Sequence, residues 1–289
     1  MYILGTLFAI GAGIFFGFIA PLTKMAYNLG AGIGLAIVLR YVIATILITP
    51  LLLFNKPSLI IYKKQIWIFM LFTTGSILLT TGLLLAVKYI QVSLAILIFY
   101  TFPIIVLIAS IFVDKEKISR SIKIVFFIAF LGLFLVLGPS FEDLNLIGVS
   151  FSFIASIGAS TMILTNQKMS NRNVHPIHIN AFTNFFNSIF FIILIGFFFK
   201  IDFYISAKAW IMILIPSFCY AIAFFLQLLA IPRIGQSKTA LLLYTEPIVA
   251  ILGATVLLNE MLNLYQSIGA VIVIASLMYA TYQSKKNQK

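Results

Sequence analysis

The heptapeptide YTEPIVA at residues 244–250 sets a carboxylate directly before a proline, in a stretch otherwise nearly free of charge. The heptapeptide YTFPIIV at residues 100–106 uses almost the same letters without the carboxylate. The two start 144 residues apart (244 − 100), and the same offset aligns much of what surrounds them. Leu84-Leu85-Ala86 meets Leu228-Leu229-Ala230, Ile90 meets Ile234, and Ser93 meets Ser237. Glu116 meets Glu260, and Lys24 meets Lys168. Leucines coincide easily in apolar sequence, but matched Ser, Tyr, Pro and Glu do not. The chain is therefore read as two related halves.

The composition decides where those halves sit. Of 289 residues, 62% are apolar and only 9% charged, against about a quarter charged in soluble domains. A soluble globule of this composition could not cover its surface, so the chain is read as a polytopic membrane protein. A bilayer-crossing helix needs about twenty mostly apolar residues. Ten stretches qualify: 3–24, 34–54, 66–87, 92–113 and 122–138, then 147–169, 178–199, 209–231, 238–258 and 266–282. The connectors are short, and no soluble domain interrupts them. Each half holds five spans, and an odd number sends the second half into the membrane from the opposite side. The expected fold is an all-α integral membrane protein of ten transmembrane helices, built from two inverted five-helix repeats. Residues 1–140 form the first repeat and 145–289 the second, within one integrated transport domain. Inverted repeats let a midplane site open to one face and then the other, which is how many secondary transporters work. The alternative is a duplicated membrane scaffold with no transport role.

The charges fix the expected orientation. The net charge of +12 comes from 19 Lys and Arg against 7 Asp and Glu. Arg40 lies inside a span, and Lys24, Lys88, Lys200 and Lys208 fall on one set of alternate connectors. All the other Lys and Arg fall on the opposite set, which the positive-inside rule places in the cytoplasm together with both termini. These cations serve topology, and no basic run with interleaved aromatics suggests nucleic acid. The N-terminal stretch lacks a positive leader and is too long for a signal-peptide core, so it reads as the first span. The single Cys219 excludes an intrachain disulfide, and the connector histidines His175 and His178 lack further nitrogen or sulfur partners for a metal.

Three phrases give the chain a resemblance. EPIVA at 246–250 is similar to the Glu-Pro-x-x-Ala signature in span 9 of EamA-type ten-helix permeases, within the drug/metabolite transporter superfamily. FGFIAPLTK at 16–24 and LRYVIA at 39–44, with its arginine, are similar to spans 1 and 2 of that family, and Glu260 and Gly269 also fit. The resemblance covers residues 3 to 282. Phe16 stands where the family tends to have Trp, Val106 where Ala is expected after Pro103, and Asn259 where Gly usually precedes Glu260. The resemblance implies a transporter; the family's cargoes range over amino acids, cofactors, sugars, nucleotides and toxic cations.

Within the spans, Glu246 is the first candidate. A carboxylate at mid-helix depth costs about 2.5–3.5 kcal/mol, so it should face protein or water. It could bind a cationic group or carry a proton. Structurally, it could hydrogen-bond backbone freed by Pro247, and Ala250 and Gly253 on the same face would invite a close neighbour helix. Tyr100 and Tyr244 lie on a different face from Glu246, each seven residues after a serine of its half (Ser93, Ser237). Pro103 and Pro247 interrupt corresponding spans, a pointer to a binding site with hinges. Arg40 could bind an anionic group or pair with a carboxylate, or it could snorkel to the interface. Lys24 and Lys88 read as interfacial. Polar stripes mark spans facing a cavity: Ser152, Ser156 and Ser160; Asn180, Asn184 and Asn187; Tyr220 and Gln227; Thr73, Ser76 and Thr80. Of these, Ser156, Asn184, Tyr220 and Gln227 join Glu246, Tyr100 and Tyr244 as substrate-binding candidates. Hydroxyls of this kind also serve as glue between helices or bond back to their own backbone.

The expected function is secondary active transport of small polar or amphipathic metabolites, amino acids or related compounds, across the cytoplasmic membrane. The driving force would be a proton or an exchanged solute. No P-loop is present for ATP, no cofactor or metal is implied, and the protein is expected to be a monomer whose partners are solute and lipid. The alternative is a multidrug or organic-cation exporter, or a lipid flippase, of the same fold. A membrane-embedded enzyme would need paired acids with metal ligands, or a nucleophile with a base. One intramembrane acid and two loop histidines do not supply these.

Overall fold

The computed structural model describes residues 2–54, 59–90, 92–112, 115, 118–138, 145–198, 203–258 and 263–286. Residues 55–57, 116, 139–140, 200 and 259–260, which carried connector and repeat expectations, lie outside the described residues, as do the side chains of Lys88 and Ser93. The described residues form twelve helices. The first half contributes α1 (Tyr2–Asn28), α2 (Ile33–Phe54), α3 (Leu59–Tyr89), α4 (Val92–Phe99), α5 (Phe102–Phe112) and α6 (Arg120–Leu137). The second contributes α7 (Leu146–Ser170), α8 (Pro176–Phe198), α9 (Ala207–Ile234), α10 (Gln236–Leu242), α11 (Thr245–Leu258) and α12 (Leu264–Lys286). Nine segments of 18 or more residues are apolar enough to cross a bilayer, and Leu264–Ala280 adds a shorter tenth. Helices are the expected solution, because inside lipid each backbone N–H and C=O must be satisfied within its own segment.

The offset of 144 reappears in three dimensions. α1, α4 and α6 begin at residues 2, 92 and 120, and α7, α10 and α12 begin at 146, 236 and 264. Even the caps correspond. The Ser119 hydroxyl accepts from the N–H of Ile122 at the start of α6. Its counterpart Asn263 accepts from the N–H of Gln266, whose side chain accepts in turn from the N–H of Asn263. That reciprocal pair is a capping box on α12. One expectation is adjusted at α8. Its helix begins at Pro176, so His178 lies in the first turn instead of the connector.

Spans 4 and 9 are not continuous helices. Span 4 breaks at Tyr100-Thr101 between α4 and α5, and span 9 at Leu243-Tyr244 between α10 and α11. Pro103 and Pro247 lack an N–H and crowd the carbonyl four residues back, so the ladder cannot run through. Both breaks are repaired the same way. The Thr101 hydroxyl donates to the carbonyl of Ile98 at 2.7 Å, and the Thr245 hydroxyl to that of Leu242 at 2.8 Å.

Helices in lipid gain nothing from burying apolar surface against each other, so close backbone approach has to hold them together. α3 meets α7 where Gly75 faces Gly158; a Cβ on Gly158 would lie 2.5 Å from the Gly75 carbonyl oxygen. α1 meets α11 at Gly17, where a Cβ would lie 2.7 Å from the Glu246 carbonyl oxygen. Gly253 meets Pro21 of α1, so the small-residue face read from the sequence does receive a neighbouring helix. The remaining main packings are α1 on α9, α2 on α8 and α9, and α6 on α12. Large apolar side chains such as Trp67, Phe112 and Phe197 are turned outward, as a lipid solvent permits.

Candidate functional site

Between these helices lies a cavity of about 590 Å³. It is bounded at one limit by the two helix breaks, through Phe99, Tyr100, Phe102, Leu243 and Glu246. At the other it reaches Lys24 and Tyr27, in the last turns of α1 beside the α1–α2 turn, and Lys24 is exposed there. The cavity therefore opens at the α1–α2 end. The opposite end is sealed. There Ser110 of α5 accepts from the Gln236 amide at 2.8 Å, Ser237 lies 2.9 Å from the same hydroxyl, and all three residues are buried.

The walls are aromatic. Tyr41 stacks on Phe191 with centroids 5.1 Å apart and meets Tyr220 edge-on at 5.4 Å. Tyr220 stacks on Phe224 at 5.6 Å, and Phe16 lies 6.2 Å from Tyr220. The Tyr41 hydroxyl is 2.5 Å from that of Thr80, and the Tyr220 hydroxyl donates to Asn184 Oδ1 at 3.4 Å. These bonds and stacks fix the rings in the cavity wall. The Arg40 guanidinium sits over the Tyr220 ring, 5.4 Å from its centroid, in cation–π range.

Glu246 occupies the first turn of α11, because the break at Leu243-Tyr244 starts a new helix there. Free backbone N–H groups and the positive end of the helix dipole favour an anion at that position. The carboxylate and the Arg40 guanidinium line the same cavity and are within electrostatic reach of each other. Among the described residues, neither is engaged in an ion pair. The Tyr100 hydroxyl is turned toward Glu246 without closing a hydrogen bond, and it has no partner although Tyr100 is only 1% exposed. The cavity thus holds one carboxylate and two cationic side chains, Arg40 deep and Lys24 at the rim, on aromatic walls.

The candidates divide into those that line the cavity and those behind its wall. Glu246, Arg40, Tyr100, Tyr220 and Gln227 line it. Tyr100 and Glu246 stand on different spans, and both reach the same cavity. Tyr244 is fully buried, and its hydroxyl donates to the carbonyl of Tyr100 at 3.1 Å. Ser156 lies 2.9 Å from the Thr101 hydroxyl at the first break, and Asn184 bonds Asn180 and Tyr220. Pro103 and Pro247 sit just past the breaks. Lys24, read as interfacial, also borders the cavity. Phe16, Tyr41, Phe224 and Phe102 were not among the candidates. Tyr41 adjoins Arg40, and Phe16 stands at the family's Trp position, so both carried a signal. Phe102 and Phe224 carried none, because nothing marks a cavity phenylalanine among 29. No group of three His, Cys, Asp or Glu residues that could hold a metal occurs among the described residues.

The family model described as the EamA-like transporter family matches the chain twice, over residues 3–138 and 146–282. Among 29 matching chains of solved structure, one crystal structure superposes with a TM-score of 0.83 at 15% identity, covering 97% of this chain and 98% of that one. At that identity the likeness concerns the fold. No curated protein matches the sequence significantly.

Proposed function

Since this chain belongs to the EamA-like transporter family, we propose that it is a secondary active transporter of small polar or amphipathic metabolites, amino acids or related compounds, working by alternating access. The observation that carries this reading is the cavity itself. It offers a guanidinium at Arg40 and a carboxylate at Glu246, held apart on aromatic walls. That arrangement suits a solute with opposite charges at its ends, or one charge and an apolar body. A volume of about 590 Å³ falls within the range of small-molecule sites.

The two repeats, 1–140 and 145–289, act as one transport domain with the helix breaks at their junction. With both termini in the cytoplasm of the cell membrane, the α1–α2 end faces outward, and this arrangement is outward-open. Glu246, Arg40, Tyr100, Tyr220 and Gln227 contact the solute. Tyr244, Ser156 and Asn184 support that wall, and Pro103 and Pro247 act as hinges. Glu246 is also the group placed to carry a coupling proton, with solute exchange as the alternative drive. The protein functions as a monomer in the bilayer.

Uptake and counterflow in proteoliposomes, over a panel of amino acids, organic cations and fluorescent lipids, test the reading. Saturable counterflow of a zwitterionic solute is the expected result. Movement of lipids or organic cations alone would replace it with the flippase or exporter reading.

A further inference from the structure

A second recess, of about 480 Å³, lies between α6 and α12. It opens on the outer surface of the bundle, since Ile124, Ile128 and Tyr279 on its walls are exposed. Its cause is the way the two helices cross. They touch where Gly132 meets Gly269; a Cβ on Gly269 would lie 2.5 Å from the Gly132 carbonyl oxygen. Gly269 also faces Val136 and Gly132 faces Val273, so the helices run antiparallel. Helices packed at an angle draw apart on either side of their crossing. Toward the start of α6 and the end of α12 the gap becomes a slot. Ile124, Val125 and Ile128 form one wall, Ile272 and Ala275 the other, and Ser121 and Tyr279 stand at the rim. From Ile128 to Ser121 the slot runs about 10 Å along the helix, roughly a third of a hydrocarbon core about 30 Å thick.

The charge of this helix pair is gathered at the rim of the slot. Arg120 is exposed and directly precedes Ser121. On α12, Lys286 follows Tyr279 by seven residues and Ile272 by fourteen, which puts it on the stripe that lines the slot. Lys285 adjoins it, and no Asp or Glu occurs from residue 261 to the end of the chain. Asp114 and Glu116, in the connector before α6, lie outside the described residues. At the other end of the same pair, residues 129–138 and 261–272 contain no Lys or Arg. The slot is therefore apolar along its length, hydroxylated at its rim and cationic beyond it. That order complements a molecule with an acyl chain and an anionic head. A helix of a second copy would need a face running the length of the pair, whereas this slot ends at the glycine crossing.

We propose that the α6–α12 slot is a binding site for a phospholipid with an anionic headgroup, one acyl chain lying between Ile124, Ile128 and Ile272 and the phosphate at the level of Arg120 and Lys286. Basic pockets between membrane helices attract anionic headgroups in this way. The hydroxyls of Ser121 and Tyr279 are donors for the phosphate and ester oxygens just below it. Because α6 belongs to the first half and α12 to the second, the bound lipid bridges the two repeats. The site is separate from the central cavity, and the inference does not depend on the cargo.

Native mass spectrometry of the full chain in mild detergent tests this, with phosphatidylglycerol and phosphatidylcholine of the same acyl chains as probes. The expected result is one retained phosphatidylglycerol per chain, preferred over phosphatidylcholine at least about tenfold. Arg120→Gln combined with Lys286→Gln should bring the two lipids to parity by weakening phosphatidylglycerol alone. Ala275→Phe fills the slot and leaves the charges, and should weaken retention of phosphatidylglycerol about tenfold; Ala275→Leu replaces it if the phenylalanine does not fold. Equal retention of the two lipids by the unaltered chain overturns the inference, as does a preference that survives loss of both cations. Retention unchanged by filling the slot also overturns it, because the charges alone would then hold the lipid. A lipid-free dimer would assign the face to a second copy and overturn it as well.

Discussion

The α4–α5 and α10–α11 breaks are built from the same parts and end in different states. Each has a proline past the break, a threonine hydroxyl donated to the carbonyl three residues back, and a tyrosine at the bend. Two of their differences bear on the cavity. The first break carries Phe102 where the second carries Glu246. The Tyr244 hydroxyl also donates to the backbone of Tyr100, while the equivalent Tyr100 hydroxyl has no partner. The parts that match belong to the repeated scaffold; the carboxylate and the tyrosine bond set its second half apart.

Substitutions at these points break or sharpen that contrast. The largest effect is expected at Glu246. Glu246→Gln should abolish accumulation driven by a pH gradient yet retain exchange of labelled for unlabelled solute, while Phe102→Leu at the matching position leaves both nearly unchanged. Loss of exchange as well, in protein that stays monodisperse in detergent, would move Glu246 from the proton to the cargo. Next comes Arg40→Ala, which removes a charge and a cation–π contact together worth about 1–2 kcal/mol. It should raise KM for a solute with a carboxylate about tenfold, with little change for a neutral analogue.

The matched threonines should differ in degree. Thr245→Val removes one hydrogen bond, worth about 1 kcal/mol, and should lower the melting temperature in detergent by about 2–4 °C. Thr101→Val removes the matching bond and the one to Ser156 as well and should lower it further; equal losses would show that the Ser156 contact contributes nothing. The smallest and most diagnostic effect separates the tyrosines. Tyr244→Phe loses a hydrogen bond and about 1 kcal/mol, whereas Tyr100→Phe removes a hydroxyl that faces Glu246 without closing a bond and should cost less. Equal melting temperatures for the two variants would contradict the asymmetry.

Much of this was legible in the sequence, residue by residue. Pro103 and Pro247 announced the interruptions, and Glu246 stood out because a carboxylate in an apolar span has few places to go. The stripe arithmetic went astray where the helix does. It put Tyr100 and Tyr244 together on a face away from Glu246, yet Tyr100 lines the cavity with Glu246 while Tyr244 is buried behind it. It also grouped Ser156, Asn184 and Tyr244 with the cavity. Spacing shows that residues share a stripe but not whether the stripe faces space or a neighbour, and these three face neighbours. Lys24 looked interfacial because a lysine at a span end usually is; the packing of α1 on α9 and α11 makes it a rim residue.

The sequence by itself determined the membrane environment, the number of spans and the pairing of two inverted halves. Those follow from constraints that act along the chain: a lipid core demands some twenty apolar residues per crossing, and an offset of 144 preserves rare residues at matching places. Only the tertiary structure decided which end of the bundle is open, which tyrosine holds the bond and which halves of the polar stripes line the cavity. Two repeats with nearly the same scaffold leave these points open along the chain. They rest on contacts across the repeat boundary, such as Tyr244 with Tyr100 and Ser110 with Ser237, which exist only once the helices have packed.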